Sequence, residues 1–165
     1  MSKNKYAFPL SNKWIRLSLL RRLLWFVEQL VCGTHEGTLR YALDYIVPSG
    51  IPIYAAAEGV VVWVKNTSCN GGPLKKYWYA GNRVILKHRY GEYSAYEHLR
   101  YCGAVVRLKQ KIKRGQLIGY SGKTGYGLFP HLHFEIFTNP TKDLAEGKTI
   151  PITFSQSQKP NRGAL

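Results

Sequence analysis

The chain has 165 residues, 45% of them hydrophobic, which suffices for one domain with a real buried core. Its 24 Lys and Arg against 9 Asp and Glu leave a net charge of +15, which favours a polyanionic partner (nucleic acid, anionic membrane or acidic wall polymer) without choosing among them. Three cysteines, Cys32, Cys69 and Cys102, exclude a disulfide framework, and no CxxC pair is present to suggest a zinc knuckle.

Residues 1–12 read as polar and irregular. The segment "NKWIRLSLLRRLLWFVEQLV" (12–31) predicts an amphipathic helix. Ser18, Arg21, Arg22, Glu28 and Gln29 fall within an arc of about 120°, with Leu19, Leu23, Phe26, Val27 and Leu30 opposite and Trp14 and Trp25 at the flanks. Arg16, Arg21 and Arg22 interrupt the apolar run, so neither a signal peptide nor a spanning helix is expected. A helix packed on the domain is the favoured expectation. A basic amphipathic helix lying on a membrane surface is the alternative.

From Thr38 the pattern changes to short strands with turn punctuation. "YALDYIV", "IPIYAAA" and "VVVWVKN" are followed by the loop "TSCNGGPLKKYWYAGN". "RVILKH" and "YSAYEHL" flank a hairpin-like "RYGE", and "AVVRLKQKIKRGQLIGYSG" reads as two strands around "KRG". Then comes "FPHLHFEIF" (129–137). Its alternation puts His131, His133 and Glu135 on one strand face and Leu132, Phe134 and Ile136 on the other, toward a core. The competing reading is an edge strand with two surface histidines. This density of short strands predicts an all-β sandwich or barrel. The organisation expected is a basic, helical N-terminal segment (1–32), a β domain (33–140) and a polar tail (141–165).

The five histidines are His35, His88, His98, His131 and His133. A mononuclear catalytic zinc needs about three protein ligands and an open position. His35, Asp44 and one of the two strand histidines would supply that count. Cys32 and His35 have CxxH spacing, but Cys32 reads as a buried free thiol. His88 reads as structural or exposed. Glu135 is either a carboxylate orienting an imidazole or a solvated one. Glu36 and Glu97 would point to other faces if extended. Tyr120 and Tyr126, around "GYSGKTGYG", are candidates to line a groove, in a segment that also reads as a Gly-rich turn.

The stretches "GTHEGTLRYALDYIVPSGIPIYAAAEGVVVWV", "GNRVILKHRYGEYSAYEHL", "IKRGQLIGYSGKTGYG" and "PHLHFEI" together resemble the lysostaphin-like (LytM-type) zinc metallopeptidases, endopeptidases of bacterial peptidoglycan. The resemblance covers roughly residues 33–137. It implies a compact antiparallel β-sandwich, the barrel-sandwich-like duplicated hybrid motif, here with an N-terminal helix. It further implies Zn2+ held by His35, Asp44 and His133, and catalytic roles for His131 and His98. Two features depart from the family pattern. His35 and Asp44 are nine residues apart where many members have HxxxD, and the stretch "FVEQLVCGT" ahead of the first ligand offers no tyrosine. No HExxH helix is present, so the glutamate base of that class is not expected.

The function implied is zinc-dependent hydrolysis of peptide bonds in peptidoglycan. A non-catalytic wall- or partner-binding module of the same fold is the runner-up. A nucleic-acid-binding β domain, suggested by +15 and "LKKYWYAGN", leaves the histidines unexplained. Partners expected are peptidoglycan peptides and, through charge, an anionic wall polymer or membrane surface. Location at the cell envelope follows from that function, although no export signal is evident in the sequence.

Overall fold

The strands in chain order are β1 (Leu43–Ile46), β2 (Pro52–Tyr54), β3 (Gly59–Lys65), β4 (Gly71–Gly72), β5 (Asn82–Lys87), β6 (Tyr93–Ala104), β7 (Lys111–Ile112), β8 (Leu117–Ser121), β9 (Gly125–Tyr126), β10 (His131–Thr138) and β11 (Lys148–Thr149). Among the described residues they follow helix α1 (Leu19–Cys32). The structure, a computed structural model of the chain, describes residues 1–11, 14, 19–33, 35–141 and 147–155.

The protein is mainly β and its large sheet is antiparallel. Among the described residues, strand order is β1-β10-β6-β5-β3-β7, with β11 added to β10 and β8 joining β6 to β2. Strand β6 explains the architecture. Its first half lies between β5 and β10, and beyond the irregularity between Leu99 and Ala104 it pairs with β8 instead. One strand thereby serves two arms of the sheet, and a single core fills the space they enclose. Ile53 and Ile118 reach it from β2 and β8, and Val84, Leu86, Tyr96, Leu132, Phe134 and Ile136 from the other arm.

Strand β10 is not an edge. It lies between β1 and β6 and is buried along almost its whole length. The alternation read from the sequence holds: Leu132, Phe134 and Ile136 are fully buried in the core. The opposite face, carrying His131, His133 and Glu135, is covered too, because it forms the floor of a groove.

Both ends of the described chain pack on this body. Tyr6 and Leu10, from the segment read as irregular, are core residues. Residues 147–155, read as part of the tail, pair β11 with β10 and stack Phe154 on Phe8 at 4.2 Å between ring centroids. The rest of the expected tail after Thr141, residues 142–146 and 156–165, lies outside the described residues. Buried Glu92 ties the N-terminus down. It accepts the backbone N–H of Lys3 and Asn4, the Asn4 side-chain amide at 2.6 Å and the Tyr6 hydroxyl at 2.9 Å.

Burial alone would raise the Glu92 pKa, but these hydrogen bonds outweigh it and hold the carboxyl below its ordinary range. A carboxylate with a lowered folded-state pKa stabilises the fold fully above its unfolded pKa. That contribution is lost as pH falls through the lowered value. Glu92→Gln is therefore expected to cost about 1–3 kcal/mol at neutral pH, with several donors left poorly paired. Denaturant midpoints for both chains across the acid range check this. The gap should close toward low pH, and a pH-independent gap contradicts the assignment.

Helix α1 meets the domain with its face reversed from the sequence expectation of an apolar side packed inward. Leu23, Phe26 and Leu30 are 59%, 59% and 75% exposed, whereas Glu28 is 2% exposed. Gln29 reaches Asp44. The physical reason is that this end of the groove offers a carboxylate and backbone N–H donors, which a polar helix edge satisfies and an apolar one would strand. Residues 12–13 and 15–18 of the expected helix, and the side chains of residues 19–22, lie outside the described residues. No described helix is long and apolar enough to cross a membrane.

Candidate active site

Cross-strand register builds the centre of the groove. Asp44 on β1 is directly opposite His133 on β10, and His133 is opposite Glu97 on β6. His35 arrives from the segment ahead of the short 3-10 turn Gly37–Leu39. His133 Nδ1 is 2.8 Å from Asp44 Oδ1, and His35 Nε2 is 3.0 Å from Asp44 Oδ2. The His35 contact lacks hydrogen-bond geometry, so this buried nitrogen has no hydrogen-bond partner. One donor atom from each of the three residues falls within a 4.8 Å cluster. Two imidazoles and a carboxylate suit zinc, and a buried, unpartnered imidazole nitrogen aimed at the cluster is what an ion would satisfy.

The charges agree with that arrangement. Burial alone would raise the Asp44 carboxyl, but the His133 hydrogen bond, then His35, hold it well below the usual carboxylate range. For His133, burial opposes the charged form, yet Asp44 and then Glu135 outweigh it and hold its pKa well above the ordinary value. Glu135 Oε2 is 3.6 Å from His133 Nε2 and has no hydrogen-bond partner. His133 thus turns Nδ1 to the cluster and Nε2 to a second carboxylate.

His131 and His98 stand beside this centre, their rings 4.3 Å apart. His131 Nδ1 bonds the Phe129 carbonyl at 2.8 Å, and His98 Nδ1 bonds the Thr124 carbonyl at 2.7 Å. A carbonyl only accepts, so each Nδ1 carries a hydrogen, and the tautomer this selects has its lone pair at Nε2. Burial, then the neighbouring His131 and His133, push the His98 pKa well below the usual histidine value, which keeps that ring neutral.

Strand alternation does not explain His98. Tyr96 is fully buried in the core, and strict alternation would send His98 after it. Instead His98 adopts a left-handed backbone, φ 61°, which turns its ring into the groove. Glu97, expected to face away, also lines the groove, because it lies directly across the ladder from His133, with Arg83 3.5 Å away. Glu36 is exposed, in keeping with the sequence reading. His88 is buried far from the groove histidines' partners, bonding the Glu58 carbonyl at 2.7 Å and Ser94 Oγ at 2.8 Å.

Cys32, expected to be buried, is half-buried at the groove wall. Burial and the adjacent Glu28 carboxylate push its thiol up to about 11. Tyr126 lines the groove beside Trp78, 5.6 Å between ring centroids. Tyr120 does not, and lies under the Arg100 guanidinium at 4.6 Å. Glu28, Gln29, Trp63, Trp78 and Arg83 are groove residues that spacing did not single out. Their partners lie far along the chain, so no local signal marks them.

The glycines of "TGYG" are explained by close approach. A Cβ on Gly125, whose φ is +88°, would sit 2.8 Å from Gly81 Cα and 2.9 Å from His98 Nδ1. Gly125→Ala is expected to cost about 1–3 kcal/mol from overpacking and backbone strain. Thermal unfolding of the variant checks this, and an unchanged Tm contradicts it.

Comparison with known proteins agrees with this geometry. Residues 38–144 match Peptidase family M23. The chain is 34% identical over 153 residues to the peptidoglycan DD-endopeptidase ShyA of Vibrio cholerae, covering 92% of this chain and 31% of ShyA. It is 34% identical over 105 residues to the glycyl-glycine endopeptidase ALE-1 of Staphylococcus capitis, covering 63% of this chain and 26% of that protein. The chain thus spans less than a third of either curated relative. Among solved structures, the catalytic domain of the antimicrobial peptidase lysostaphin from Staphylococcus simulans superposes with a TM-score of 0.51 at 31% identity, covering 66% of this chain and 74% of that one. The matched span includes β1, β6 and β10 with Asp44, His98, His131 and His133, and the chain belongs to peptidase family M23.

Proposed function

We propose that the protein is a zinc-dependent endopeptidase that hydrolyses peptide bonds in bacterial peptidoglycan. The observation that carries this reading is the convergence of His35 Nε2, an Asp44 oxygen and His133 Nδ1, with the imidazoles of His98 and His131 beside them. His35, Asp44 and His133 would hold the metal. Zinc bound there supplies Lewis acidity, lowering the pKa of a water and polarising the scissile carbonyl.

The remaining tasks fall to the chain's own side chains. His131 accepts a proton from the attacking water at Nε2, the position its Phe129 hydrogen bond leaves free. It returns that proton to the leaving amine. His98, whose Nδ1–H is likewise committed to a carbonyl, presents Nε2 to the same space as the second site that can take this proton in place of His131. The low His98 pKa favours prompt release of the proton afterwards. Trp63, Trp78 and Tyr126 wall the groove with flat apolar surface, while Arg83 and Lys65 add charge for a peptide's carboxylates.

The test is digestion of purified, cross-linked peptidoglycan by the zinc-loaded chain, with the fragments identified by mass. Release of new peptide termini is expected, abolished by chelation and restored by zinc. The fragments name the bond, on which the relatives differ: one is named for DD-bonds and another for glycyl-glycine bonds. A chain that binds zinc and peptidoglycan yet releases no fragment returns the reading to a non-catalytic module.

The basic charge is proposed to serve adsorption to an anionic wall polymer or membrane surface, since no Lys or Arg belongs to the metal cluster. Binding to walls should weaken steeply as salt shortens the screening length below about 8 Å. Co-sedimentation across a salt series measures it, and salt-insensitive pelleting contradicts it.

A further inference from the structure

Glu28 is a carboxylate on α1 with 2% exposure, about a hundred residues from the groups it touches. Its Oε1 accepts the Leu128 N–H at 2.9 Å, and its Oε2 accepts the Leu128 and Phe129 N–H groups at 3.0 and 2.9 Å. These are successive amides of the segment that leads into β10. The same peptide segment carries the Phe129 carbonyl, which receives His131 Nδ1–H at 2.8 Å. Packing leaves little slack between the two. A Cβ on Gly127 would lie 3.2 Å from Glu28 Oε1 and 2.7 Å from His131 Cε1.

Resting on the peptidase reading above, we propose that Glu28 is a positioning residue for His131. By gripping the Leu128 and Phe129 amides it aims the Phe129 carbonyl at His131 Nδ1. That fixes the tautomer with the lone pair on Nε2, and it fixes the ring's direction toward Asp44, 3.9 Å from Nε2. Helix α1 is on this account a working part of the site, coupled to it by a carboxylate and two amides. The coupling is geometric: a buried carboxylate meets two successive backbone donors. A residue that merely anchored the helix would act on stability alone.

Glu28→Ala removes both acceptor oxygens, so the Leu128 and Phe129 amides both lose their partner. The full chain and this variant are compared by 15N-edited NMR of the histidine rings and of the Leu128 and Phe129 amides, without substrate and with or without zinc. Steady-state cleavage of a purified cross-linked muropeptide is measured alongside. The wild type should show a His131 Nδ1–H signal and slow exchange at both amides. The variant should lose or mix the His131 tautomer while keeping zinc stoichiometry. Its kcat should fall by up to about 100-fold, the scale of ångström-level misplacement of a catalytic group, with KM little changed.

A variant with the wild-type tautomer and wild-type kcat overturns the proposal. So does a kcat loss that tracks zinc loss. Should the variant fail to fold, the wild-type amides still decide, because fast exchange at Leu128 and Phe129 removes the contact on which everything rests. The ring and amide signals need no substrate. A wild type that shows them but leaves peptidoglycan uncut refutes the peptidase reading and not the Glu28 contact.

Discussion

His133→Ala is expected to strip zinc from the chain, while His131→Ala keeps zinc and loses about 10²–10⁴-fold in turnover, the usual scale for a missing general acid or base. The two side chains are two residues apart on one strand face, so the contrast is a demanding one. Geometry separates them. His133 turns Nδ1 into the cluster, 2.8 Å from Asp44 Oδ1, and stands directly across the ladder from Asp44. His131 Nε2 stays 3.9 Å from the same carboxylate, and its Nδ1 is committed to a backbone carbonyl. Removing His133 takes one of three proposed protein ligands, and activity follows the metal. Removing His131 leaves the cluster whole and takes only the base. His98→Ala should resemble His131→Ala, since its ring lies 4.3 Å from that of His131 beside the same centre. Zinc content measured beside turnover for each variant decides. Zinc lost from His131→Ala and retained by His133→Ala would reverse the proposed roles.

The second large effect is expected at Glu135. Its Oε2 faces His133 Nε2 at 3.6 Å, is buried, and has no hydrogen-bond partner. A carboxylate behind a ligating imidazole fixes the ring and raises its basicity, and losing such a partner typically costs about 10–100-fold in metal affinity. Glu135→Gln keeps the volume and removes the charge, so the fold should stand while zinc affinity falls by that factor. Gln29, which donates to Asp44 Oδ2 at 2.9 Å, is the corresponding contact on the other side of the cluster. Gln29→Ala should give a smaller loss because a neutral amide contributes less than a charged partner. Competition for zinc against a chromogenic chelator at fixed pH measures both. Equal affinity for Glu135→Gln and wild type would show that the carboxylate plays no part in holding His133.

The two faces of β10 were legible in the sequence because strand periodicity is local. Alternation over His131–Phe137 requires His131, His133 and Glu135 to share a side wherever the strand is placed. The mainly β class was legible for the same reason, from short apolar runs and their turn residues. Donor types could suggest His35, Asp44 and one strand histidine, but only resemblance chose His133 over His131, since spacing carries no information about which distant histidine meets which aspartate. Tertiary structure alone decided the rest. Register placed Asp44 opposite His133 and Glu97 beside it. A left-handed residue at His98 broke the alternation that would have buried its ring. Helix α1 presented the unexpected edge, because two amides about a hundred residues away needed an acceptor and the apolar stripe could not supply one. Local periodicity records which side chains travel together. Which groups they meet is set by the satisfaction of buried donors and acceptors across the whole chain.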